Sequence, residues 1–190
     1  IQPVHPENLS LRFNWNAALN VDPLDPAALY LGSQFVHRTR NNGETWEIIS
    51  PDLTTDEPEK QLYYQSGGLT LDTSGAETHT SILSISPSPL RSGLIWVSTD
   101  DGNVQLTDDD GATWTNVGEN IPDVPTGIWV PHIEPSHHNE SVAYVVLEDH
   151  RRGDWTPYIY KTEDLGRTWK SLSDNNIQSF IHVIREDPIE

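Results

Sequence analysis

The sequence predicts an all-β chain, part of a β-propeller, with about three four-stranded blades and the first strand of a fourth. Three observations carry this: a turn motif that occurs three times, a proline marker that keeps step with it, and short β-branched and aromatic segments between them. No long stretch shows helical periodicity.

The turn motif reads Thr-x-Asp/Asn-x-Gly-x-Thr-Trp. It runs from Thr39 through Asn41 and Gly43 to Trp46, from Thr107 through Asp109 and Gly111 to Trp114, and from Thr162 through Asp164 and Gly166 to Trp169. The glycines stand 68 and 55 positions apart (43 to 111 to 166). The second marker is an X-Pro pair closing an apolar segment, at Asp22-Pro23, Ser86-Pro87, Glu134-Pro135 and Asp187-Pro188.

Strands are expected over 13–21, 28–32, 35–39 and 46–50 in the first unit. The second gives 80–86, 94–99, 104–107 and 114–117, and the third 127–133, 142–147, 158–162 and 169–172. A further strand over 180–185 would open a fourth unit. The blades then cover 12–50, 80–126 and 127–179, after a lead-in over 1–11. The long link 51–79 joins the first two, and 180–190 begins the next. With no Met and an opening Ile1, the 190 residues read as a piece of a longer chain. Remaining blades of that chain are its first expected partners, because three blades cannot close a ring and leave two flanks uncovered.

The formal net charge of −18 repels polyphosphates and anionic membranes, which argues against nucleic acid. No apolar run approaches the ~20 residues that span a bilayer, so no membrane insertion is expected. Without Cys, disulfide and thiolate chemistry are excluded. There is no His-Glu-x-x-His motif, no Gly-x-Ser-x-Gly elbow and no phosphate-binding glycine loop. No cofactor is expected. Acidic runs such as Asp108-Asp109-Asp110 suit Ca2+ chemically but lack EF-hand spacing. His137-His138 falls in a turn and reads as a solvated pair, with no metal site assigned.

In each motif the Asp or Asn side chain can accept backbone N–H groups inside the turn, and Gly takes the positive φ. Asp109 and Asp164 therefore read as structural, and Asn41, which keeps the acceptor without the charge, suits a turn better than a catalytic acid. The motif resembles the Asp box of BNR-repeat proteins, found in sialidases, xyloglucanase-like glycoside hydrolases and sortilin-type propellers. Phrases such as "RFNWNAALNVDPLDPAALYLGS" and "LIWVSTDDGNVQLTDDDGATW" resemble the bacterial BNR-repeat "glycosyl hydrolase" or sortilin N-terminal-domain family over nearly the whole chain. That resemblance implies boxes that staple blades on the face away from active sites, and an extracytoplasmic, bacterial setting.

Antiparallel alternation puts the X-Pro turns and the boxes on one face, called lower here. The loops between second and third strands, and the links between blades, fall on the upper face. Asp100 and Asp101 precede Gly102, a sequence that favours a type I′ hairpin turn. They read either as a solvated turn or as one half of an acid pair facing Glu148, Asp149 or Asp154 from another blade. The longest upper loop, expected over 147–157, combines acids with His150, Arg151, a second Arg and Trp155, groups that a carbohydrate site would use. Its alternative is an exposed loop whose Arg and Asp side chains pair in water. Tyr63 and Tyr64 in the long link invite comparison with sialidases, whose nucleophile is a Tyr. The sialidase arginine cluster is missing, with Arg185 alone on an expected inner strand.

Two functions follow. One is a recognition or scaffold module for protein, peptide or glycan. The other is a glycoside hydrolase acting on a neutral polysaccharide through upper-face candidates Asp100, Asp101, Asp149 and Asp154.

Overall fold

The structure, a computed structural model, describes residues 3, 9–62, 78–174 and 176–189. Twelve strands form three four-stranded antiparallel sheets, each taking its strands in chain order. Blade 1 holds β1 (Leu19–Val21), β2 (Leu29–Gly32), β3 (Val36–Thr39) and β4 (Glu47–Ile48). Blade 2 holds β5 (Ile82–Pro87), β6 (Ile95–Thr99), β7 (Val104–Thr107) and β8 (Thr115–Asn116). Blade 3 holds β9 (Trp129–Pro135), β10 (Ala143–Asp149), β11 (Asp154–Thr162) and β12 (Lys170–Ser171). Among the described residues only single turns of 3-10 helix occur, and no helix is long and apolar enough to cross a membrane.

Among the described residues, the core lies between blades, not within them. The two faces of β6 alternate: Ile95 and Val97 join Tyr30, Val36 and Ile82 between blades 1 and 2, while Leu94 and Trp96 join Val145, Leu147 and Tyr160 between blades 2 and 3. Trp96, fully buried, meets Trp169 edge to face at 6.1 Å. Each fully buried aliphatic side chain here stabilises the stack by roughly 1.5–3 kcal/mol.

The three box turns repeat one set of bonds. In the second, Asp109 accepts the Thr113 amide at 2.8 Å and its hydroxyl at 2.6 Å, and the Thr107 hydroxyl accepts the Gly111 amide at 3.0 Å. Asp164 does the same with Thr168 at 2.9 and 2.7 Å. Asn41 accepts the Thr45 amide at 2.9 Å and donates its own amide to the Thr45 hydroxyl at 2.9 Å. Two successive residues take positive φ, as at Leu165 (59°) and Gly166 (79°).

The box tryptophans then reach across blades. The indole of Trp114 donates to the Ile49 carbonyl of blade 1 at 3.0 Å, and that of Trp169 to the Val117 carbonyl of blade 2 at 3.2 Å. Acceptor and Trp keep one register, since Ile49 and Val117 each lie three residues after their own blade's Trp. The indole nitrogen of Trp46 is buried without a partner among the described residues.

The proline marker slips in the structure. The residue that caps the lower turn is Asp22 in blade 1, accepting the Leu24 and Asp25 amides at 2.8 and 3.2 Å. In blades 2 and 3 that place is taken by Ser88 and Ser136, each two residues beyond the marker, because the amides of Leu90, Arg91, His138 and Asn139 turn to their hydroxyls. Asp187 starts the same turn again, accepting the Ile189 amide at 2.9 Å. Two residues before each cap, one side chain crosses to the next unit. Asn20 reaches the Ile85 carbonyl, Ser86 the Ile133 carbonyl, and Glu134 pairs with Arg185 at 2.5 Å.

β1 is shorter than expected, since residues 10–16 turn away to bond the upper loops, as where the Arg12 amide donates to Gln34 at 2.8 Å. Residues 180–185 lie on the open flank of blade 3 without pairing to a strand among the described residues. Side chains hold this segment instead, with Glu186 taking the Ser136 hydroxyl, the His137 amide and the Tyr144 hydroxyl.

Candidate functional site

Side-chain and backbone bonds sort the two faces. On the lower face, Arg40 meets Asp25 at 3.1 Å and the Leu165 amide donates to the Ser141 carbonyl at 3.0 Å. On the upper face the link 52–61 docks on the hairpin 100–103, and Arg152 reaches the Thr126 carbonyl at 3.0 Å.

Asp100 and Asp101 are neither a solvated turn nor a type I′ turn. Positive φ occurs at Gly102 (103°) and not at Asp101, and the Thr99 amide closes on the Asn103 carbonyl around a three-residue loop. Asp100 has no exposed surface; it accepts the Ser81 amide and hydroxyl at 2.8 and 2.9 Å and the Asn14 amide at 3.2 Å. Asp101, 3% exposed, takes the Thr99 hydroxyl at 2.5 Å and the Thr55 amide and hydroxyl at 2.7 and 2.8 Å. Burial pushes its carboxyl above the usual carboxylate range against these hydrogen bonds.

The loop expected over 147–157 is shorter. β10 and β11 continue to Asp149 and Asp154, which pair, and the 3-10 turn His150–Arg152 plus Gly153 joins them. The strands run on because Glu148 and Trp129 remain in register across a bulge and fix the hairpin to β9. Asp149 is held by Arg152 at 2.6 Å. Asp154 accepts the Thr156 amide at 2.9 Å and the Tyr158 hydroxyl at 2.7 Å, and these bonds hold its carboxyl below the usual range. Burial and the same carboxylate push the Tyr158 phenol up to about 12.

A compact aromatic and polar cluster stands at this hairpin. Glu148, 1% exposed, accepts Arg151 at 3.2 Å and His182 at 3.0 Å, with His150 at 3.6 Å. The Arg151 guanidinium lies over the Trp129 ring at 3.3 Å, a cation–π contact. His150 stacks on Phe180 at 4.5 Å, and Trp155 leans on Phe180 at 5.5 Å. Trp155 is 57% exposed, so its ring faces solvent.

The structure thus brings together His150, Arg151 and Trp155 and adds Glu148, Trp129, Phe180 and His182. Asp100 and Asp101 belong to a separate buried network at blade 2. Tyr63 and Tyr64 lie outside the described residues. Sequence spacing gives no sign of Trp129 as a cation partner, because its neighbour is set by the bulge.

Other groups have local partners. Asp108 pairs with Arg91, Asp109 closes its own turn, and Asp110 pairs with Arg38, so the acidic run points three ways. The His138 ring bonds the Asp187 carbonyl at 2.8 Å, and His137 lies 3.8 Å from Glu134. Burial, reinforced by Arg185 and His182, lowers the His132 imidazole to about 4.

No protein-family model matches the chain, and no curated protein matches it. Among solved structures it is similar to an ancestral GH74 enzyme, with a TM-score of 0.60 at 14% identity over 94% of this chain and 20% of that one. YCF48 bound to D1 peptide gives a TM-score of 0.48 at 20% identity, over 93% of this chain and 48% of that one. YCF48 from Cyanidioschyzon merolae gives 0.46 at 20% identity, over 83% and 37%. The chain therefore spans a fifth of the GH74 enzyme and less than half of YCF48. At such identities the likeness concerns the fold, and with the three sheets it makes this chain a partial β-propeller.

Proposed function

We propose that the chain is part of an extracytoplasmic propeller of the bacterial Asp-box, sortilin-like kind, serving as a recognition and scaffold module for a protein, peptide or glycan. The carrying observation is the solvent-facing Trp155, braced by Phe180 and His150 above the buried Glu148. Binding needs an exposed ring with polar groups around it, and no cofactor. Acid–base hydrolysis needs two carboxyls free to exchange protons with a substrate. The carboxylates of Asp100, Asp101, Asp149 and Asp154 are all engaged by neighbouring side chains or amides.

The hydrolase reading draws on one feature, the raised carboxyl of Asp101, which is what a general acid requires. Its three hydrogen bonds and its burial favour a structural part instead. Further blades of the same parent chain complete the module on this reading, since three sheets do not close a ring.

The test is a parallel screen of displayed peptides and a glycan array on the chain and its Trp155→Ala variant, with reducing-end release measured alongside. Capture that depends on Trp155 without turnover is expected. Hydrolysis abolished by Asp101→Asn in a folded variant would replace this reading with the enzyme.

A further inference from the structure

We propose that the outer flank of blade 3 is a docking surface for a further box hairpin that carries an acidic side chain immediately before its glycine, with Lys161 as the residue that selects it. The inference rests on the reading that further blades complete the module, and it names the chemistry of the one that meets blade 3.

The two junctions between blades use one arrangement of side chains. On the second and third strands of a blade, two residues stand directly opposite each other: Tyr30 and Arg38 in blade 1, Trp96 and Leu106 in blade 2. Opposed residues share a face of the sheet, here the face toward the next blade. The residue that meets them stands just before the next box glycine. Asp110 takes the Arg38 guanidinium at 2.5 Å, and Leu165 packs on the core that holds Trp96 and Leu106. Asp110 and Leu165 both take positive φ, 60° and 59°, so the two boxes present this side chain in the same way. One junction thus joins a cation to an acid, and the other joins two leucines.

Blade 3 repeats the first kind. Its opposed pair is Tyr144 and Lys161, with the ammonium 5.8 Å from the centre of the Tyr144 ring. Leu172 stands after Trp169 as Ile49 and Val117 stand after theirs, and its amide closes on Ile159 as theirs close on Val36 and Val104. This end is uncovered, however. Leu172 is 39% exposed against 4% for Val117, and the Lys161 side chain is 28% exposed against 8% for Arg38. Its charge is also unbalanced. Arg38 faces Glu47 across β3 and β4, whereas Lys161 faces Lys170 across β11 and β12, and like charges so placed repel. Among the described residues Lys161 has one ion partner, the exposed Glu163 at 2.6 Å. An incoming acid would supply to Lys161 what Asp110 supplies to Arg38. The inner end of the same flank is already filled in register, where Arg185 meets Glu134, each standing two residues before its cap, Asp187 or Ser136. A box that follows this segment arrives at Lys161 as the second box arrives at Arg38.

Carbodiimide coupling, which joins an amine to a carboxylate in direct contact, reads the pair in the parent chain, with the linked peptides identified by mass spectrometry. Lys161 should couple to the Asp or Glu that precedes the glycine of a further box, besides the Glu163 it already reaches. In urea unfolding, Lys161→Leu should lower the parent's folding equilibrium constant by about tenfold, the scale of one charge-assisted hydrogen bond, and Lys161→Arg should retain it. The 190-residue chain alone should respond to Lys161→Leu by about twofold or less, as for an exposed pair. The pairing rule itself is read between blades 1 and 2. Asp110→Leu should weaken the chain about tenfold when Arg38 is present, and about twofold or less beside Arg38→Leu, which rebuilds the leucine kind. Equal losses in the two backgrounds overturn the inference. So does a further box with a non-acidic residue at that place, or one whose acid never couples to Lys161; either leaves the recognition reading in place. A parent chain with no further box overturns the inference together with the reading that more blades complete the module.

Discussion

Replacing Gly166 by Ala should separate two costs that usually travel together. A Cβ built there meets Cβ and Cγ2 of Val117 at 2.7 Å, and the backbone sits at φ 79°. Val117 is 4% exposed and belongs to the core between blades 2 and 3, so it has little room to retreat. The left-handed backbone costs an L-residue about 1–2 kcal/mol. Overpacking a filled interface adds about 1–3 kcal/mol. Gly153 provides the control, because its φ is 84° but a Cβ there meets nothing within 4 Å. Gly153→Ala should therefore cost only the backbone part. In urea unfolding followed by tryptophan fluorescence, Gly166→Ala should lose about 1–3 kcal/mol more than Gly153→Ala, at unchanged slope. Equal losses would refute the claim that the box glycine exists to let one blade lie against the next.

Trp114→Phe removes the donor from the Ile49 carbonyl and should cost about 1–3 kcal/mol, while Trp46→Phe, which removes an unpartnered donor, should cost markedly less in the same urea assay. Asp109→Asn should be tolerated, since Asn41 already makes the corresponding bonds, whereas Asp109→Ala should lose about 1–2 kcal/mol like a missing cap. Hydrogen bonds from the threonines hold the carboxyls of Asp109 and Asp164 below their ordinary value. Their contribution is thus present above the unfolded value near pH ~4 and fades as pH falls through the folded one, so the double Asn variant should flatten the acid limb of a stability–pH curve. His132 works in the opposite range. Its folded value of about 4 lies below the unfolded 6.5, so the unfolded chain binds the extra proton and stability should fall as pH drops from 6.5 toward 4, by on the order of 3 kcal/mol. His132→Gln should remove that slope; a slope that persists would mean another group carries it.

The blades were legible because the box turn is local chemistry. Thr, Asp or Asn, Gly and Thr satisfy one another within seven residues, so the motif declares itself wherever it occurs. The lower turn was legible only to within two residues, because a Ser hydroxyl at Ser88 or Ser136 caps as Asp22 does and proline merely accompanies it. The upper face was less readable. Asp100 and Asp101 look like a solvent turn until residues 14, 55 and 81 arrive from distant parts of the chain to cover them. Glu148 is sealed by His182, 34 positions on, and Trp129 meets Arg151 through a bulge that no spacing announces. Residues 180–185 have strand-like composition, but a strand also needs a ladder partner.

Because each core is shared by two sheets, the cooperative unit is the seam rather than the blade. Severing the chain between the first and second sheets would free no self-sufficient fragment: Tyr30 and Val36 would lose Ile95 and Val97 together, and both pieces would show apolar sides. Unfolding should therefore spread from an end, seam by seam, as in a linear array whose members are stable only in company. Among the described residues, blade 2 alone takes part in both seams, so damage to its β6 should loosen the other two sheets at once.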